Sequence, residues 1–534
     1  MQLTGSSLIG FSTPATAGSD IGFRAVDPAT GAELEPLFHS ATTADVERAA
    51  HLAHAAFAVT KSLPGAVKAA FLRRIASGLD EARAAIIERA QQETALPAAR
   101  VESELGRTML QLRLFADLVE EGSWVDARIE HGDAARQPLP KPDLRSMLRP
   151  LGPTVVFGAS NFPLAYSVAG GDTAAALASG CPVIVKAHPA HPGTSEIVGR
   201  AVCEAAQSCE MPDGVFSLLF DKDYEIGLAL VRHPHIKAVG FTGSRRGGRA
   251  LMDAAAAREE PIPVFAEMSS INPIVITPGA LQARGDEIAA GLYASVTQGV
   301  GQFCTNPGLV LLPEGEVGTA FLDDLATRMS ATAPGTMLTS NICSAYGQGT
   351  EKLADAPGVA AVVAPAPDTA RAGAALFETA AATLLANREL MAEVFGPSTL
   401  VVRYESPAEL REVARGLEGQ LTATLHASDE ELADNTDLLA ILEEKAGRLL
   451  VNGFPTGVEV GHAIVHGGPY PATSDGQSTS VGSRAIRRFT RPVCFQNFPD
   501  AALPPELQET NPLGIRRLVD GVLVEGTKPA ADGG

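Results

Sequence analysis

The chain has 534 residues, of which 45% are hydrophobic and 19% are charged, and its formal net charge is −20 at pH 7. This length exceeds one ordinary hydrophobic core, so two or three packed units are expected, and the composition excludes a disordered or fibrous protein. The negative charge argues against binding to nucleic acid or to an anionic membrane, both of which need clusters of Lys and Arg.

The cysteines and the N-terminus indicate a cytoplasmic protein. The six cysteines are scattered and form no Cys-x-x-Cys pair, which is typical of reduced thiols without a disulfide framework or a metal site. Residues 1–13 lack the basic and apolar regions of a secretory signal. No apolar stretch approaches the roughly 20 residues of a membrane-spanning helix.

Helices dominate the first part of the chain, after a start rich in Gly, Ser, Thr and Pro that predicts short strands and loops. The spacing of apolar residues predicts helices over 42–57, 64–92 and 97–121. In the last of these, Arg107 shares a face with leucines at spacings of three and four residues. Such an arginine either extends to the surface or pairs with a structural carboxylate. Alternatively, its planar guanidinium holds the anionic end of a substrate.

An alternation of strands and helices follows residues 124–150, a polar, proline-containing stretch that looks like an excursion from the main body. The predicted strands are 154–157, 182–185, 215–219 and 238–241, and the predicted helices are 163–179, 193–207, 224–233 and 246–257. This order predicts a parallel sheet covered on both faces, with ligands at the carboxyl ends of its strands. A second alternating set starts near residue 263 and includes strands at 273–277, 309–312, 398–402 and 448–451.

Chemically useful side chains follow several of these strands. Asn161 lies just past the first strand, and Lys186 takes the matching place on the next. Gly243 and Ser244 precede a helix, where backbone N–H groups could meet a phosphate, although the Gly-x-Gly-x-x-Gly fingerprint is absent. Glu267 places a carboxylate directly after an apolar strand.

Cys304 lies in a loop of small and turn-forming residues, directly after an apolar helical run. A buried cysteine would be inert there, whereas a thiol at the mouth of a loop can attack a substrate while its own backbone N–H points the same way. Glu267 could then act as a general base. Glu393 and Phe395 place an acid and an aromatic ring ahead of a further strand.

These motifs, in this order and at these spacings, resemble the aldehyde dehydrogenase superfamily from the N-terminal helices to about residue 490. The resemblance implies an α/β fold with two doubly wound parallel-sheet domains and a small β oligomerisation element. It implies that Cys304 attacks the aldehyde carbon, that Asn161 and the backbone N–H of Cys304 hold the oxyanion, and that Glu267 activates the water that hydrolyses the thioester. No metal is implied.

The resemblance also implies a dinucleotide cofactor. Lys186 would contact the adenosine ribose, Gly243 and Ser244 the pyrophosphate, and Glu393 the nicotinamide ribose, with Phe395 beside the ring. Many family members carry a glutamate three residues after the lysine, which grips the 2′-hydroxyl of NAD. This chain has Pro189 there, flanked by His188 and His191. Losing that carboxylate favours NADP, with NAD possible.

Within the family, residues 466–475 and 511–515 resemble the dehydrogenases that oxidise 2-oxoglutarate semialdehyde (2,5-dioxopentanoate) to 2-oxoglutarate. Arg107 and Phe162 would then line the substrate tunnel. One alternative is an NADP-dependent fatty or other aliphatic aldehyde dehydrogenase, which shares the Lys-x-His-x-x-His-Pro-Gly pattern. Acyl transfer to coenzyme A is disfavoured because Glu267 equips the site for water, and an inactive structural homologue is the remaining alternative.

The resemblance also divides the chain. Residues 1–123 and 151–262 would bind the dinucleotide, and 263–478 would form the catalytic domain. The segments 124–150 and 479–505 would form the oligomerisation element of a homodimer or homotetramer, with a C-terminal tail at 506–534.

Overall fold

The computed structural model describes residues 2–12, 21–365 and 368–526. Its strands are β1 (Leu8–Ile9), β2 (Gly22–Val26), β3 (Glu33–His39), β4 (Arg128–Glu130), β5 (Leu144–Pro150), β6 (Thr154–Phe157), β7 (Val183–Lys186), β8 (Phe216–Leu219), β9 (Ala238–Thr242), β10 (Val264–Glu267), β11 (Ile274–Ile276), β12 (Leu309–Pro313), β13 (Gly335–Thr336), β14 (Val359–Val363), β15 (Arg371–Ala372), β16 (Ala375–Ala380), β17 (Ser398–Tyr404), β18 (Gln420–His426), β19 (Ala446–Val451), β20 (Thr490–Gln496), β21 (Arg517–Val519) and β22 (Val522–Val524). Its helices are α1 (Thr43–Thr60), α2 (Gly65–Glu81), α3 (Arg83–Thr94), α4 (Ala98–Glu121), α5 (Gly171–Ser179), α6 (Pro192–Ser208), α7 (Glu225–Arg232), α8 (Arg245–Ala256), α9 (Pro278–Thr297), α10 (Glu316–Ser330), α11 (Ser340–Ala354), α12 (Ala381–Ala386), α13 (Pro407–Gly416), α14 (Asp429–Asp434) and α15 (Thr436–Lys445).

The first large sheet has the order β1-β8-β7-β6-β9-β10 and is parallel except for β1. Its apolar strands are buried on both faces, as a parallel sheet requires. Helices α1, α7 and α8 cover one face, and α5 and α6, backed by α2, α3 and α4, cover the other. The four strands predicted between residues 154 and 241 all lie in this sheet.

The second large sheet has the order β14-β16-β17-β12-β11-β18-β19, with only β14 antiparallel to its neighbour. Helices α9 and α10 pack on one face, and α11, α12, α13 and α15 pack on the other. Both large sheets are therefore doubly wound, and the predicted fold class is confirmed.

The predicted helix at 163–179 begins later than expected, because α5 starts only at Gly171. The backbone N–H of Leu164 and that of Ala165 each donate to Oε1 of buried Glu104, at 2.9 Å. A carboxylate that accepts these N–H groups holds the preceding residues as a turn and not as a helix. This turn carries Asn161 and Phe162 towards the second sheet.

The third sheet combines the segments at 124–150 and after residue 480. It has the order β20-β5-β4-β21-β22. Buried Arg145 anchors it through ion pairs with Asp143, Asp500 and Glu509. Strands β21 and β22 belong to residues 506–534, predicted as a tail, so this tail assignment is corrected for the part that the structure describes (506–526). The rest of that segment lies outside the described residues, and the division of the whole chain into domains stays a prediction.

None of the helices in the described ranges is both long and apolar enough to cross a membrane.

Candidate active site

The loop that carries Cys304 is fixed between the two large sheets by its backbone. After α9 the chain makes a tight turn in which Gly299, Val300 and Gly301 all have positive φ, at 56°, 58° and 65°. A Cβ on Gly301 would lie 2.3 Å from backbone atoms of Gly396, so a side chain there would push apart the cysteine loop and the 393–397 segment. On the far side of the thiol, the Asn272 side chain donates to the carbonyl of Cys304 at 2.9 Å. The strained backbone at Val300 is therefore held in place by close packing on both sides.

The thiol of Cys304 faces an imidazole and a carboxylate. Its Sγ lies 3.5 Å from Nε2 of His466, and the same nitrogen lies 2.9 Å from Oε1 of Glu267. Glu267 ends β10, and the loop of His466 is tied to this strand by a backbone bond from Met268 to Ala472. The predicted nucleophile and general base are therefore brought together, with a histidine between them.

The carboxylate of Glu267 is 1% exposed. Burial by itself raises the pKa of Glu267, but charge interaction and hydrogen bonding with His466, together with hydrogen bonds from Cys304 and Ser480, outweigh burial and leave this pKa below its usual range. The Ser480 hydroxyl donates to Oε2 at 3.0 Å. Glu267 is therefore ionised at neutral pH and is ready to accept a proton.

The thiol shows the opposite shift. Burial and the negative charge of Glu267 raise the pKa of Cys304 well above its usual value. An unperturbed thiol, with a pKa of about 8.5, would already be a few per cent thiolate at pH 7. Cys304 is instead a neutral thiol that needs a base during attack.

Asn161 reaches the cysteine loop from the first sheet. Its side-chain Nδ2 donates to the carbonyl of Gln302 at 3.0 Å. The amide therefore contacts a residue that lies two positions before the nucleophile in the chain, and it reaches this residue from the loop after β6. Its part in binding an oxyanion stays a prediction.

Aromatic rings and arginines line the approach to the thiol. Phe162 makes edge contacts with Tyr166 and Phe303, at centroid distances of 5.2 and 5.4 Å. Arg107 donates from Nη2 to the Tyr166 hydroxyl at 3.3 Å and from Nε to the Val458 carbonyl at 3.2 Å. Both residues predicted for substrate binding therefore lie on this wall, although substrate binding itself stays a prediction.

A second arginine on this side, Arg448 of β19, was missed by sequence analysis. Its guanidinium donates to the carbonyls of Pro455 and Gly457, while its buried Nε has no hydrogen-bond partner among the described residues. Burial lowers the pKa of Arg448, and charge interactions with Cys304 and Tyr166 oppose that effect. Two guanidinium groups, from α4 and β19, are thus electrostatically coupled to the thiol and to Tyr166.

The residues predicted to bind the dinucleotide lie along the carboxyl edge of the first sheet and the adjoining loop of the second. Lys186 ends β7 and donates from Nζ to the Asp221 carbonyl at 2.6 Å. Burial lowers its pKa to about 8, against the opposing charges of Asp221 and Asp223. The Asp221 carboxylate has one buried oxygen without a hydrogen-bond partner in the described chain. A cation and a carboxylate therefore stand side by side where an adenosine ribose is expected.

The N-terminus of α8 and Glu393 are linked by one serine. Ser244 caps α8, with its Oγ accepting from the Gly247 N–H, whereas the Gly243 N–H is already used by the Glu267 carbonyl. The Ser269 Oγ accepts from the Arg245 N–H at 3.4 Å and also hydrogen bonds with Glu393. Burial raises the pKa of Glu393 to about 7. The predicted pyrophosphate and ribose contacts thus lie on either side of Ser269.

Phe395 lies beside Glu393 in the wall of a narrow cavity of about 20 Å³, which Ser270 and Asn306 also line. The contacts of Glu393 and Phe395 with a nicotinamide ribose and ring stay predictions.

The two histidines around Pro189 behave differently. Burial lowers the pKa of His188 well below its usual value, helped by His191 and Lys186, so His188 is uncharged at neutral pH. His191 is fully buried and contacts the Ala159 carbonyl and the Ser195 hydroxyl. Among these residues the charge available to a 2′-phosphate comes from Lys186.

No metal site was predicted, yet atoms of Glu267, Cys304 and His466 lie within 4.8 Å of one another, close enough to hold a cation. His466 was predicted only as part of a subgroup motif and not as a site residue. A single histidine before two glycines does not indicate which distant residues it will contact. Tyr166 and Ser480 were missed for the same reason: their partners lie far away along the chain.

Comparisons with known proteins identify a family and several relatives of this chain. The profile of the aldehyde dehydrogenase family matches residues 15–491. The chain is 56% identical over 526 residues to alpha-ketoglutaric semialdehyde dehydrogenase 2 of Azospirillum brasilense, covering 98% of this chain and 99% of the relative. It is 45% identical over 492 residues to alpha-ketoglutaric semialdehyde dehydrogenase of Acinetobacter baylyi, covering 92% and 93% of the two chains.

Among solved structures, the fold is similar to that of a variant of aldehyde dehydrogenase C from Pseudomonas syringae, in complex with NAD+ and octanal. The TM-score is 0.78 at 20% identity, and the match covers 93% of this chain and 98% of that chain.

Proposed function

The chain belongs to the aldehyde dehydrogenase family, and we propose that it oxidises 2-oxoglutarate semialdehyde to 2-oxoglutarate. The family match over residues 15–491 confirms the predicted family, and the chain is an oxidoreductase. The observation that carries the choice of substrate is the pair of guanidiniums of Arg107 and Arg448, which both hydrogen bond to backbone carbonyls of residues 455–458. A five-carbon aldehyde with a 2-oxo-carboxylate at its far end brings an anion to these cations while its aldehyde carbon meets the sulfur. The relatives from Azospirillum brasilense and Acinetobacter baylyi bear names with the same substrate.

The first step uses the proton that Cys304 and Glu267 share. As the sulfur bonds to the aldehyde carbon, Glu267 takes the thiol proton, which it can do because it is ionised at neutral pH while the thiol is neutral. The Asn161 amide and the backbone N–H of Cys304 hold the oxygen that becomes negative. Each such fixed donor is worth on the order of 3 kcal/mol to the transition state.

The remaining steps release the acid. A bound nicotinamide would supply the hydride acceptor, and loss of hydride from the tetrahedral adduct would leave a thioester on Cys304. Once Glu267 has released the thiol proton from the site, it removes a proton from water, whose oxygen attacks the thioester carbon. The C–S bond then breaks to give the carboxylic acid, and the sulfur takes a proton back from Glu267. His466 and Ser480 hold Glu267 in place through its two oxygens, and this keeps the carboxylate basic in a buried position.

The chemistry of the residues present fits a dinucleotide: Lys186 and the N-terminus of α8 suit its phosphates, and Glu393 suits a ribose. Like other family members, the enzyme uses NAD(P). We infer a preference for NADP because Pro189 removes the carboxylate that would repel a 2′-phosphate. The Asp221 carboxylate, whose negative charge acts on Lys186 and which has one unpartnered oxygen among the described residues, opposes this preference and allows NAD as well.

We also infer a cytoplasmic homo-oligomer, a homodimer or homotetramer. The six cysteines are all unpaired, which suits a reducing compartment. The third sheet ends in β22, whose residues Val522, Leu523 and Val524 are 64%, 58% and 42% exposed. An exposed apolar edge strand of this kind is normally covered by a partner.

The test is a substrate panel run with both cofactors. We expect kcat/KM for 2-oxoglutarate semialdehyde to exceed that for hexanal, and 2-oxoglutarate to be the product whether or not coenzyme A is present. The Arg107→Leu and Arg448→Leu variants should lower the ratio of kcat/KM for 2-oxoglutarate semialdehyde to kcat/KM for hexanal. A higher kcat/KM for hexanal would favour the aliphatic aldehyde alternative, and absence of NAD(P)H formation with every aldehyde would show an inactive homologue.

A further inference from the structure

A cluster of histidines lies far from the active site, where α1 packs against the turn that follows α7. Three of its members, Glu47, His51 and His54, lie on one face of α1, at spacings of four and three residues. The other two, His233 and His235, flank Pro234 just before β9. Because this turn precedes β9, the cluster lies at the amino end of the first sheet, opposite the carboxyl ends that hold the dinucleotide residues.

The side chains of the cluster converge on one carboxylate. Oε2 of Glu47 lies 3.3 Å from Nε2 of His233 and 3.6 Å from Nδ1 of His51. One potential ligand atom from each of these three residues lies within 4.8 Å of the other two. Two imidazoles and a carboxylate oxygen are the donors that Zn²⁺ and similar divalent ions accept.

The spacing of the rings fits coordination. Two imidazoles bound to one tetrahedral zinc ion have ring centroids about 5 Å apart, because each Zn–N bond is about 2.0–2.1 Å long. The centroids of His51 and His233 are 5.8 Å apart, and His235 lies 4.8 Å from His51 and 5.2 Å from His233. The ring of His235 stacks on that of His54 at 4.1 Å. His235 is therefore placed to supply a fourth ligand by turning its ring.

The two elements that carry these ligands are held rigidly. The turn is braced by Arg258, which donates to the carbonyls of Val231 and Ile236 at 2.6 and 3.0 Å. Helix α1 packs against α7 through buried alanines and Leu230. The backbone of the site is thus preformed, and an ion would replace the 2.8 Å contact between Nδ1 of His51 and the Glu47 carbonyl.

We propose that Glu47, His51 and His233, with His235 as the adjoining fourth ligand, form a binding site for a divalent ion of the zinc class. Such an ion would tie α1 to the turn before β9. Because its ligands lie at the amino end of the sheet, catalysis would proceed without it.

The test must separate this site from the active site, where Glu267, Cys304 and His466 also lie close enough to hold a cation. Binding of ZnCl₂ alone is therefore measured on the full-length Cys304→Ala protein, which lacks the thiol ligand, by calorimetry and by the rise in Tm. The visible absorption of Co²⁺ at the same site reports on tetrahedral nitrogen coordination. We expect one zinc ion per chain and a higher Tm in the presence of zinc.

Substitution of the ligands decides the assignment. In the Cys304→Ala background, His51→Asn combined with His233→Asn should remove both the bound zinc and the Tm rise, Glu47→Gln should weaken binding, and His235→Asn should weaken it less. His131→Asn is the matched control, because His131 is also a surface histidine between two carboxylates, Glu509 and Asp520. With Cys304 intact, the His51 and His233 variants should keep wild-type kcat.

Failure to bind zinc in the Cys304→Ala protein would overturn the proposal, as would zinc binding that survives the double substitution. Loss of binding in the His131 control would overturn it too. These outcomes do not depend on the aldehyde that the enzyme oxidises.

Discussion

Replacing His466 with phenylalanine should raise the pH at which thioester hydrolysis becomes active. The substitution fills the space of the ring but removes the hydrogen bond to Oε1 of Glu267, now 2.9 Å long. A buried hydrogen bond to a charged group contributes about 1.5–3 kcal/mol. Since one pKa unit corresponds to about 1.36 kcal/mol, the pKa of Glu267 should rise by about 1–2 units.

The direction of the pH shift depends on which protonation state of Glu267 is active. Only the ionised carboxylate can remove a proton from water, and His466 favours that form by holding the pKa of Glu267 below its usual range. In the variant the carboxylate becomes protonated at a higher pH. The acid limb of kcat should therefore move up by about 1–2 pH units where hydrolysis limits the rate, with activity largely regained above the new pKa.

The assay is kcat from pH 5 to pH 9, combined with rapid-mixing measurements of the first turnover at each pH. Ser480→Ala is the matched control, because it removes the donor to the other oxygen, at 3.0 Å, without contacting the sulfur. It should move the limb in the same direction by less, since a serine hydroxyl is neutral. His466→Gln, which keeps a side-chain N–H, should restore part of the shift. A kcat that is lower at every pH, with an acid limb that does not move, would refute this reasoning. It would show that His466 acts on the thiol of Cys304 and not on the carboxylate of Glu267.

Three further substitutions test separate parts of the site. Glu267→Gln should slow NAD(P)H formation in the first turnover, because the thiol loses its base, and should stall whatever forms at the thioester, which rapid mixing and mass spectrometry of the acylated protein would detect. Arg107→Leu should raise KM for 2-oxoglutarate semialdehyde by about 10- to 100-fold, for a loss of about 1.5–3 kcal/mol, and leave KM for hexanal unchanged. Asp221→Asn should raise the ratio of kcat/KM for NADP to that for NAD, because it removes a buried charge beside Lys186.

Different results would contradict each step. A steady-state rate like wild type in the Glu267 variant would show that another group activates water. An equal loss with both aldehydes in the Arg107 variant would indicate a structural arginine. An unchanged cofactor ratio in the Asp221 variant would mean that its carboxylate does not face the ribose.

The sheets were predictable where their strands are continuously apolar. Strand β7 reads Val-Ile-Val-Lys, and no other element suits such a run beside a helix. Strand β18 was missed because Gln420, Thr422 and Thr424 interrupt its pattern, although all three are buried. Gln420 is tolerated there because its Oε1 accepts from the backbone of Ile271 and Asn272. Such long-range partners cannot be read from a local pattern.

The site residues also fall into two groups, those that the local sequence indicates and those that depend on long-range contacts. Cys304, Glu267 and Asn161 lie at strand ends or in tight loops, so their neighbours along the chain already indicated that they belong to the edge of a sheet where ligands bind. His466 and Arg448 depend on segments that meet only after folding, since His466 lies 199 residues from Glu267. The β21–β22 hairpin was missed because its strands contain three residues each, too short for a period to be visible.

The opposite pKa shifts of Cys304 and Glu267 describe one shared proton. In a buried site a thiolate beside a carboxylate would place two negative charges together, so the proton stays on sulfur and the charge stays on oxygen, where His466 and Ser480 stabilise it. Attack on an aldehyde removes this conflict, because the negative charge moves to the substrate oxygen as the proton moves to Glu267. The sulfur therefore becomes a strong nucleophile only when an electrophilic carbon is present, and the same carboxylate must lose that proton before it can activate water. Turnover thus requires a path for the proton out of the site, and His466, which touches both groups, is the side chain from which that path would begin.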